Sequence, residues 1–376
     1  MNFIQKRILL LYPSSLIRFI CSNSTTHHHN SFTISYLINT CGLSQQKAIS
    51  ASKKLHFESS TKPDSVLTLF RNNEFSNSQI SKIIASCPHL LLSNVDKTLK
   101  PKFEFFNSKG LFGTDLGKVL FKGAHILDYS LENNIVPSFE SLKSIVGSDA
   151  NVISMLKKST VVLSVDHERM FAPKLTLLNT HGVCDSNIAK LLVWQPRVFL
   201  MKNSRFNEIV AEVKKMEFDP SHYYFLIAIY GLASMSRSSL EAKFNVFRNW
   251  GWTEDQLRSA FRKFPYCVAL SAENITSTMD HFVNKLGYAP SLIAEQPIVL
   301  TYSLERRIIP RCSIIQVLFT NGLLKKTPPL NSFLSYSENA FLKNYITKFE
   351  KEVPELMDAY QIKLKLNGLD HCSSIP

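Results

Sequence analysis

Apolar residues recur along the chain in a helical spacing that repeats about every 36 residues. The triplets Ile80, Ile83 and Ile84; Leu116, Val119 and Leu120; Val152, Met155 and Leu156; Ile188, Leu191 and Leu192; and Leu257, Ala260 and Phe261 each run i, i+3, i+4. That spacing puts three side chains on one face of a helix. Four residues past each triplet stands an anchor, at Pro88, Ala124, Thr160, Pro196 and Pro265, with a weaker copy at Ile229 and a further one at Pro297. The steps between anchors are 36, 36, 36, 33, 36 and 32 residues. Two apolar residues follow at +2 and +3, for example Leu90 and Leu91, Ile126 and Leu127, Val198 and Phe199, and Val299 and Leu300.

Proline and glycine punctuate the same frame. A second proline lies thirteen residues past the anchor at Pro101, Pro137, Pro173 and Pro310. Gly110, Gly182, Gly251 and Gly287 lie twenty-two past, and Gly147 twenty-three past. Proline at the anchor disfavours helix in the residue before it and so ends the first helix. The second proline fits the first turn of the next helix, where its missing N–H has no partner to lose. Glycine is the residue that closes a helix in the left-handed conformation without a Cβ penalty. Each unit therefore reads as helix, short turn, helix, glycine stop, with the anchors at Ala124, Thr160 and Ile229 lacking the proline. One such pair cannot bury its stripe alone, so units must stack into a curved helical solenoid with a groove.

With 376 residues and 45% hydrophobic content, the chain is long enough for two domains or one repeat array. Twelve glycines and the absence of β-alternation favour helices. No apolar run reaches the roughly 18 residues that span a bilayer, so no membrane role is expected. The seven cysteines, at least twenty residues apart, form no local zinc or redox motif; buried structural thiols in a reducing compartment are expected, and no cofactor or metal.

The net charge of +13 is unevenly placed. Residues 1–57 hold Lys6, Arg7, Arg18, Lys47, Lys53 and Lys54 and no acid, leaving +7 for the remainder. A basic, acid-free, Ser- and Thr-rich start has the composition of an organelle transit peptide, read over residues 1–30. Pro13 and Arg18 interrupt the apolar core that a secretory signal needs. The destination expected is the mitochondrion, with the chloroplast as the alternative. His27 to His29 fall in this leader and carry no metal assignment. The repeat domain is placed at 31–350 and a C-terminal helix and tail at 351–376.

Catalytic signatures fail. In "GLFGTDLGKVL" Gly113 and Gly117 are too close for a phosphate loop and Val119 follows Lys118 where Ser or Thr is needed. His167 and Glu168 lack the second histidine of HExxH, and neither GxSxG nor GxGxxG occurs. The chain is not expected to be an enzyme.

The segments "KPDSVLTLFRNNEFSNSQISKIIASCPHLLL", "WGWTEDQLRSAFRKFP" and above all "YSLERRIIPRCSIIQVL" resemble the plant branch of the mitochondrial transcription termination factor (mTERF) family, over roughly residues 32–360. The resemblance implies an all-α solenoid, right- or left-handed, of α-helix/3₁₀ turn/α-helix units. It also implies a basic face that binds organellar DNA or RNA in transcription termination or initiation, splicing or ribosome assembly, alongside organellar transcription or RNA-processing proteins. A monomer is expected.

Phosphate contacts by Lys and Arg would dominate such binding. The first candidate cluster is Arg306, Arg307 and Arg311 with Lys325 and Lys326, offset only by Glu305. The second is Arg258, Arg262 and Lys263, of which the first two are one helical turn apart. The third is Arg197 with Lys202. The competing account is that these charges only keep the outer faces hydrated. The phenylalanines, among them Phe103, Phe106, Phe261 and Phe282, read as core rather than as stacking platforms, and the tryptophans receive no role. The rival functions are a helical protein-binding scaffold, kept open by the moderate charge of the mature chain, and an RNA-only splicing or ribosome-assembly factor. A pentatricopeptide array has a similar period but needs polar base-reading positions in place of a proline-apolar turn.

Overall fold

The structure is a computed structural model that describes residues 26–366. Most of the segment read as a leader lies outside the described residues, as do Cys21 and Cys372. Helices and turns make up the described residues, with no β-strand among them. The chain divides into two compact units, residues 1–131 and 132–376. In the first unit, helices Gln45–Ser52 and Thr61–Asn72 precede helix Asn77–Ser86, the 3₁₀ turn Pro88–Leu92, a second helix ending at Ser108, helix Gly113–Gly123 and the 3₁₀ turn Ala124–Asp128. In the second unit, short turns at Thr160–Leu163, Pro196–Phe199, Pro265–Ala269 and Pro297–Thr301 separate the longer helices of each pair.

The stripes are the core. Ile83, Ile84, Leu116, Val152, Met155, Leu156, Leu191 and Leu192 expose nothing, and neither do Leu91, Val162, Phe199, Val268 and Leu300 behind the anchors. Burying each such side chain contributes about 1.5–3 kcal/mol. Phe103, Phe106, Phe261 and Phe282 are buried with them. Cys41, Cys87, Cys267 and Cys312 are buried thiols as expected, whereas Cys184 is exposed.

Six of the seven anchors open a short turn. The residue before each leaves the helical region: Cys87 at φ −130°, ψ 67°, Gln195 at −136°, 66°, Phe264 at −152°, 82° and Gln296 at −127°, 56°. Gly123 and Ser159 break in a similar way without a proline after them. Ile229 does not. It lies inside the unbroken helix Tyr223–Ala233, so the expectation of a bend there is corrected. No proline removes a donor at this position and no glycine loosens it, so the helix runs on until Ser234. Gly231 and Leu232, the two residues at the inward register, are still buried.

The second proline stands in the first turn of its α-helix, as expected, but an unexpected turn precedes it. Pro101 and Pro310 follow π-turns at Val95–Leu99 and Leu304–Ile308, and Pro137 follows one at Leu131–Ile135. The chain is therefore already coiled when the proline opens the α-helix proper. A proline ring clashes with the carbonyl four residues back and cannot donate to it. A wider turn absorbs that conflict: Lys100 N bonds the Val95 carbonyl, and Ile309 N the Leu304 carbonyl, five back. The coil starts at a capping residue six past the anchor, a register that the apolar pattern does not mark. Asn94, Asp166, Ser271 and Ser303 each accept a hydrogen bond from the backbone N–H three residues on.

The stop glycines are left-handed, with Gly182 at φ +87° and open space where a Cβ would stand. Glu74 adopts the same conformation, φ +65°, after helix Thr61–Asn72. A non-glycine residue pays about 1–2 kcal/mol there. Glu74→Gly is therefore expected to raise stability by about 1 kcal/mol in urea unfolding; a variant no more stable than the parent would contradict the strain.

Fourteen residues past every second anchor stands a cation turned inward, buried at Lys102, Lys174 and Arg311 and half-buried at Lys243. In the first unit Lys102 Nζ donates to the Leu127 carbonyl at 2.5 Å. In the second, Lys243 Nζ donates to Val268 and Leu270 carbonyls at 2.6 and 2.5 Å, and Lys174 Nζ to the Met170 carbonyl and Asn203 Oδ1 at 2.5 and 2.6 Å. Arg311 is the fourth. The alternate repeats put Ser138, Val210 and Met279 at this position. Each cation supplies donors to carbonyls that have no helical partner, so it joins one repeat to the next.

Burial pushes the Lys174 ammonium down to about 8. In the unfolded chain it titrates near the usual lysine value of about 10.4. Between these values the unfolded chain binds more protons, so this group makes stability rise as pH increases from about 8 to about 10. Lys174→Met should flatten that rise in urea titrations at the two pH values; an identical rise in the variant would show that Lys174 is not its source.

Candidate nucleic-acid interface

Where a side chain caps the second helix six residues past the anchor, it also fixes the residue three places on, nine past the anchor. Lys97, Arg169, Arg205 and Arg306 occupy that place after Pro88, Thr160, Pro196 and Pro297. Backbone N–H groups of Lys97, Arg169 and Arg306 are held by Asn94 Oδ1, Asp166 Oδ1 and Ser303 Oγ at 2.9, 3.1 and 3.2 Å. Lys97, Arg169 and Arg306 are exposed, and Arg205 is half-exposed with Glu208 Oε2 at 3.2 Å. Within the second unit, Asn203 Nδ2 donates to the Arg169 carbonyl at 3.2 Å, which sets the first turns carrying Arg169 and Arg205 side by side. The other repeats have Asn133, Ser238 and Asn274 at this register, with Arg237 one residue before Ser238.

First turns of helices carry free backbone N–H groups and the positive end of the dipole, so an arginine there adds charge to a place already suited to phosphate. Acidic residues precede several of these cations, as Glu168 and Glu305 do. One residue is roughly 100° around a helix, so they project elsewhere, and the dipole favours them at that position.

The sequence-derived candidates scatter over this frame. Arg306 belongs to the column. Arg307 is half-buried, its guanidinium 5.3 Å from the Tyr302 ring centre. Arg311 is wholly buried and its assignment as a contact residue is corrected. Its Nη1 donates to the carbonyls of Phe333, Leu334 and Tyr336 at 3.0, 3.2 and 2.7 Å, and Nη2 to Glu338 Oε2 at 2.9 Å. Lys325 and Lys326 are exposed, but helix Ile309–Thr320 separates them from Arg306, about 18 Å of helix. Nearness in sequence does not join them into one cluster.

Arg258 pairs with Asp255 at 3.8 Å, Arg262 with Glu217, and Lys263 Nζ lies 3.4 Å from the Glu295 carbonyl. Arg258 and Arg262 line a cleft of 820 Å³ in which Lys215, Arg237 and Arg248 also face Glu212, Glu217, Glu241, Glu254 and Asp255. Equal numbers of each sign make this cleft a poor attractor for a polyanion. Arg197 and Lys202 are exposed on the turn that starts at Pro196 and leads into Arg205. Sequence reasoning missed Arg169, Arg205 and Lys97. Extending the anchor register from apolar to charged positions finds all three.

The anchors, caps and buried cations repeat with one frame, and a family model, mTERF, matches residues 7–178 and again 174–342. The chain belongs to the mTERF family. The match reaches further toward the N-terminus than the span 32–360 of the resemblance in the sequence. No curated protein matches the chain. The mTERF assignment places it among helical-repeat, nucleic-acid-binding proteins of organellar gene expression. No helix among the described residues is long and apolar enough to cross a membrane.

Proposed function

We propose that this mTERF chain binds organellar nucleic acid along its sugar-phosphate backbone, with Arg169, Arg205 and Arg306 as the principal contacts and Arg197 and Lys202 beside them. The repeat-locked column of arginines at helix starts is the observation that carries this reading. Cations held at one register of the repeat, two of them with a capped backbone N–H, suit a regular polyanion, and a duplex is the regular one. The acid-free basic start of the chain supports the mitochondrion as its compartment. Transcription termination or initiation is the process that duplex binding fits.

A second reading has its own observation. Trp194 lies 4.7 Å from the Tyr230 ring centre and 6.0 Å from that of Tyr266, and all three rings are half-exposed. Such a group offers a stacking platform to unpaired bases, which favours single-stranded RNA. Gel retardation of organellar duplex DNA and single-stranded RNA over a series of salt concentrations separates the two. Tighter retention of duplex, lost steeply with salt, is expected; a chain that retards neither is a protein scaffold, and the proposal fails.

A further inference from the structure

In the first unit the 3₁₀ turns beginning at Pro88 and Ala124 bring four side chains of metal-binding type to one spot. Cys87 Sγ lies 3.3 Å from His125 Nδ1, and Asp128 Oδ2 lies 3.2 Å from the same nitrogen. The ligand atoms of Cys87, His125 and Asp128 all fall within 4.8 Å of one another. The other carboxylate oxygen, Asp128 Oδ1, is 2.6 Å from His89 Nε2.

Local backbone explains the convergence. Cys87 is forced out of the helix by Pro88 and turns toward the next repeat. His125 and Asp128 are three apart on a 3₁₀ turn, where side chains at i and i+3 eclipse. The combination is not a by-product of the repeat. At the equivalent positions later pairs of repeats carry Ser159, Arg197 and Leu200, or Phe264, Ile298 and Thr301.

A protonated His125 Nδ1 donates to Asp128 Oδ2, with Cys87 Sγ as a second, weak acceptor. With the imidazole in its Nε2–H tautomer and the thiol ionised, the same three atoms turn lone pairs toward one point, which a cation can occupy. The spacing suits one, because tetrahedral bonds of roughly 2.0 Å to N and O and 2.3 Å to S put neighbouring ligand atoms roughly 3.3–3.6 Å apart.

We propose that Cys87, His125 and Asp128 ligate a zinc ion, with water in the fourth position and His89 as a positioning residue that holds the Asp128 carboxylate. One thiolate, one imidazole and one carboxylate form a donor set for a borderline transition metal and not for Mg²⁺ or Ca²⁺. Ligation displaces the thiol proton to solvent and pins the first two 3₁₀ turns together. This inference is independent of the nucleic-acid reading.

The test uses the full chain with His27, His28 and His29 changed to asparagine, which removes a competing imidazole run. After chelator treatment, the chain is titrated with Zn²⁺ alone against a chromophoric chelator, and with Co²⁺ as a spectroscopic probe. One ion per chain, a thiolate-to-cobalt charge-transfer band and a higher melting temperature with Zn²⁺ are expected. His89→Gln should weaken binding roughly 10–100-fold, as loss of an outer-shell partner does, and Cys87→Ala and Asp128→Asn by more. Failure of the parent chain to retain an ion, or a cobalt spectrum without the thiolate band, overturns the proposal. So does tight binding that survives in Asp128→Asn, whose exposed side chain makes it the variant of choice if Cys87→Ala does not fold.

Discussion

Arg311→Met is expected to lower unfolding stability by about 3–5 kcal/mol, the range for stripping one partner from a buried charged network. The guanidinium has no exposed surface, answers three backbone carbonyls and the Glu338 carboxylate, and lies 4.7 Å from the Phe341 ring centre. Methionine fills much of the same volume but takes the guanidinium donors from the carbonyls of Phe333 and Tyr336 and leaves Leu334 only the long bond from Arg307 Nη1 at 3.5 Å, and a buried orphan costs about 1–3 kcal/mol. Tyr360 Oη donates to the other oxygen of Glu338 at 2.9 Å, so the loss extends to the helix Leu356–Leu366. Arg311→Lys should recover only part, because a single ammonium cannot span carbonyls and carboxylate as a planar fork does. Urea unfolding and limited proteolysis after residue 333 read the effect, while nucleic-acid affinity of the folded fraction stays unchanged. A variant within 1 kcal/mol of the parent (about a fivefold change in equilibrium) that nevertheless loses binding would restore Arg311 to the interface and reverse its structural role.

Arg311 marks where sequence reasoning stops. The anchor frame, the buried stripes and the glycine stops are all legible, because each rests on a property that a residue carries wherever it stands: a missing donor, a missing Cβ, an apolar side chain. Charge carries no such direction. Arg306 and Arg311 are five residues apart and both arginine, yet one faces water and the other is enclosed, since five residues are roughly 140° around a helix and the π-turn Leu304–Ile308 alters that angle by an amount the composition does not reveal. The alternation of Lys102, Lys174, Lys243 and Arg311 at one register is visible in the letters, but a lysine or arginine reads as a surface residue until its burial is known.

Ile229 makes the complementary point. The period predicts a bend there, and the repeat continues on both sides, but a period marks where a repeat begins and not what breaks its helix. Gly123 and Ser159 show that proline is not required; the helix Tyr223–Ala233 shows that some local breaker is. The Cys87, His125 and Asp128 cluster is likewise beyond a search for short metal motifs, because its members come from two different repeats and meet only when the turns stack.

Replacing Arg169, Arg205 and Arg306 together with glutamine is expected to reduce the slope of log affinity against log salt by about 2.7 on duplex DNA, at about 0.9 for each phosphate left without its cation. Between 50 and 200 mM salt, about 40-fold of the parent's loss of affinity would then be missing from the variant. The effect should be uniform across sequences, because these side chains reach phosphates and not base edges. Folding should survive, since Arg169 and Arg306 are exposed and the pair between Arg205 and Glu208 is a surface one, worth about 0–1 kcal/mol. Arg258→Gln with Arg262→Gln serves as the control: these two already answer Asp255 and Glu217 in a cleft of balanced charge, so their loss should move the slope by less than about 0.9. If instead the double variant flattens the salt dependence and the triple leaves it intact, the polyanion runs through the cleft, and the column of helix starts is only a solvated edge.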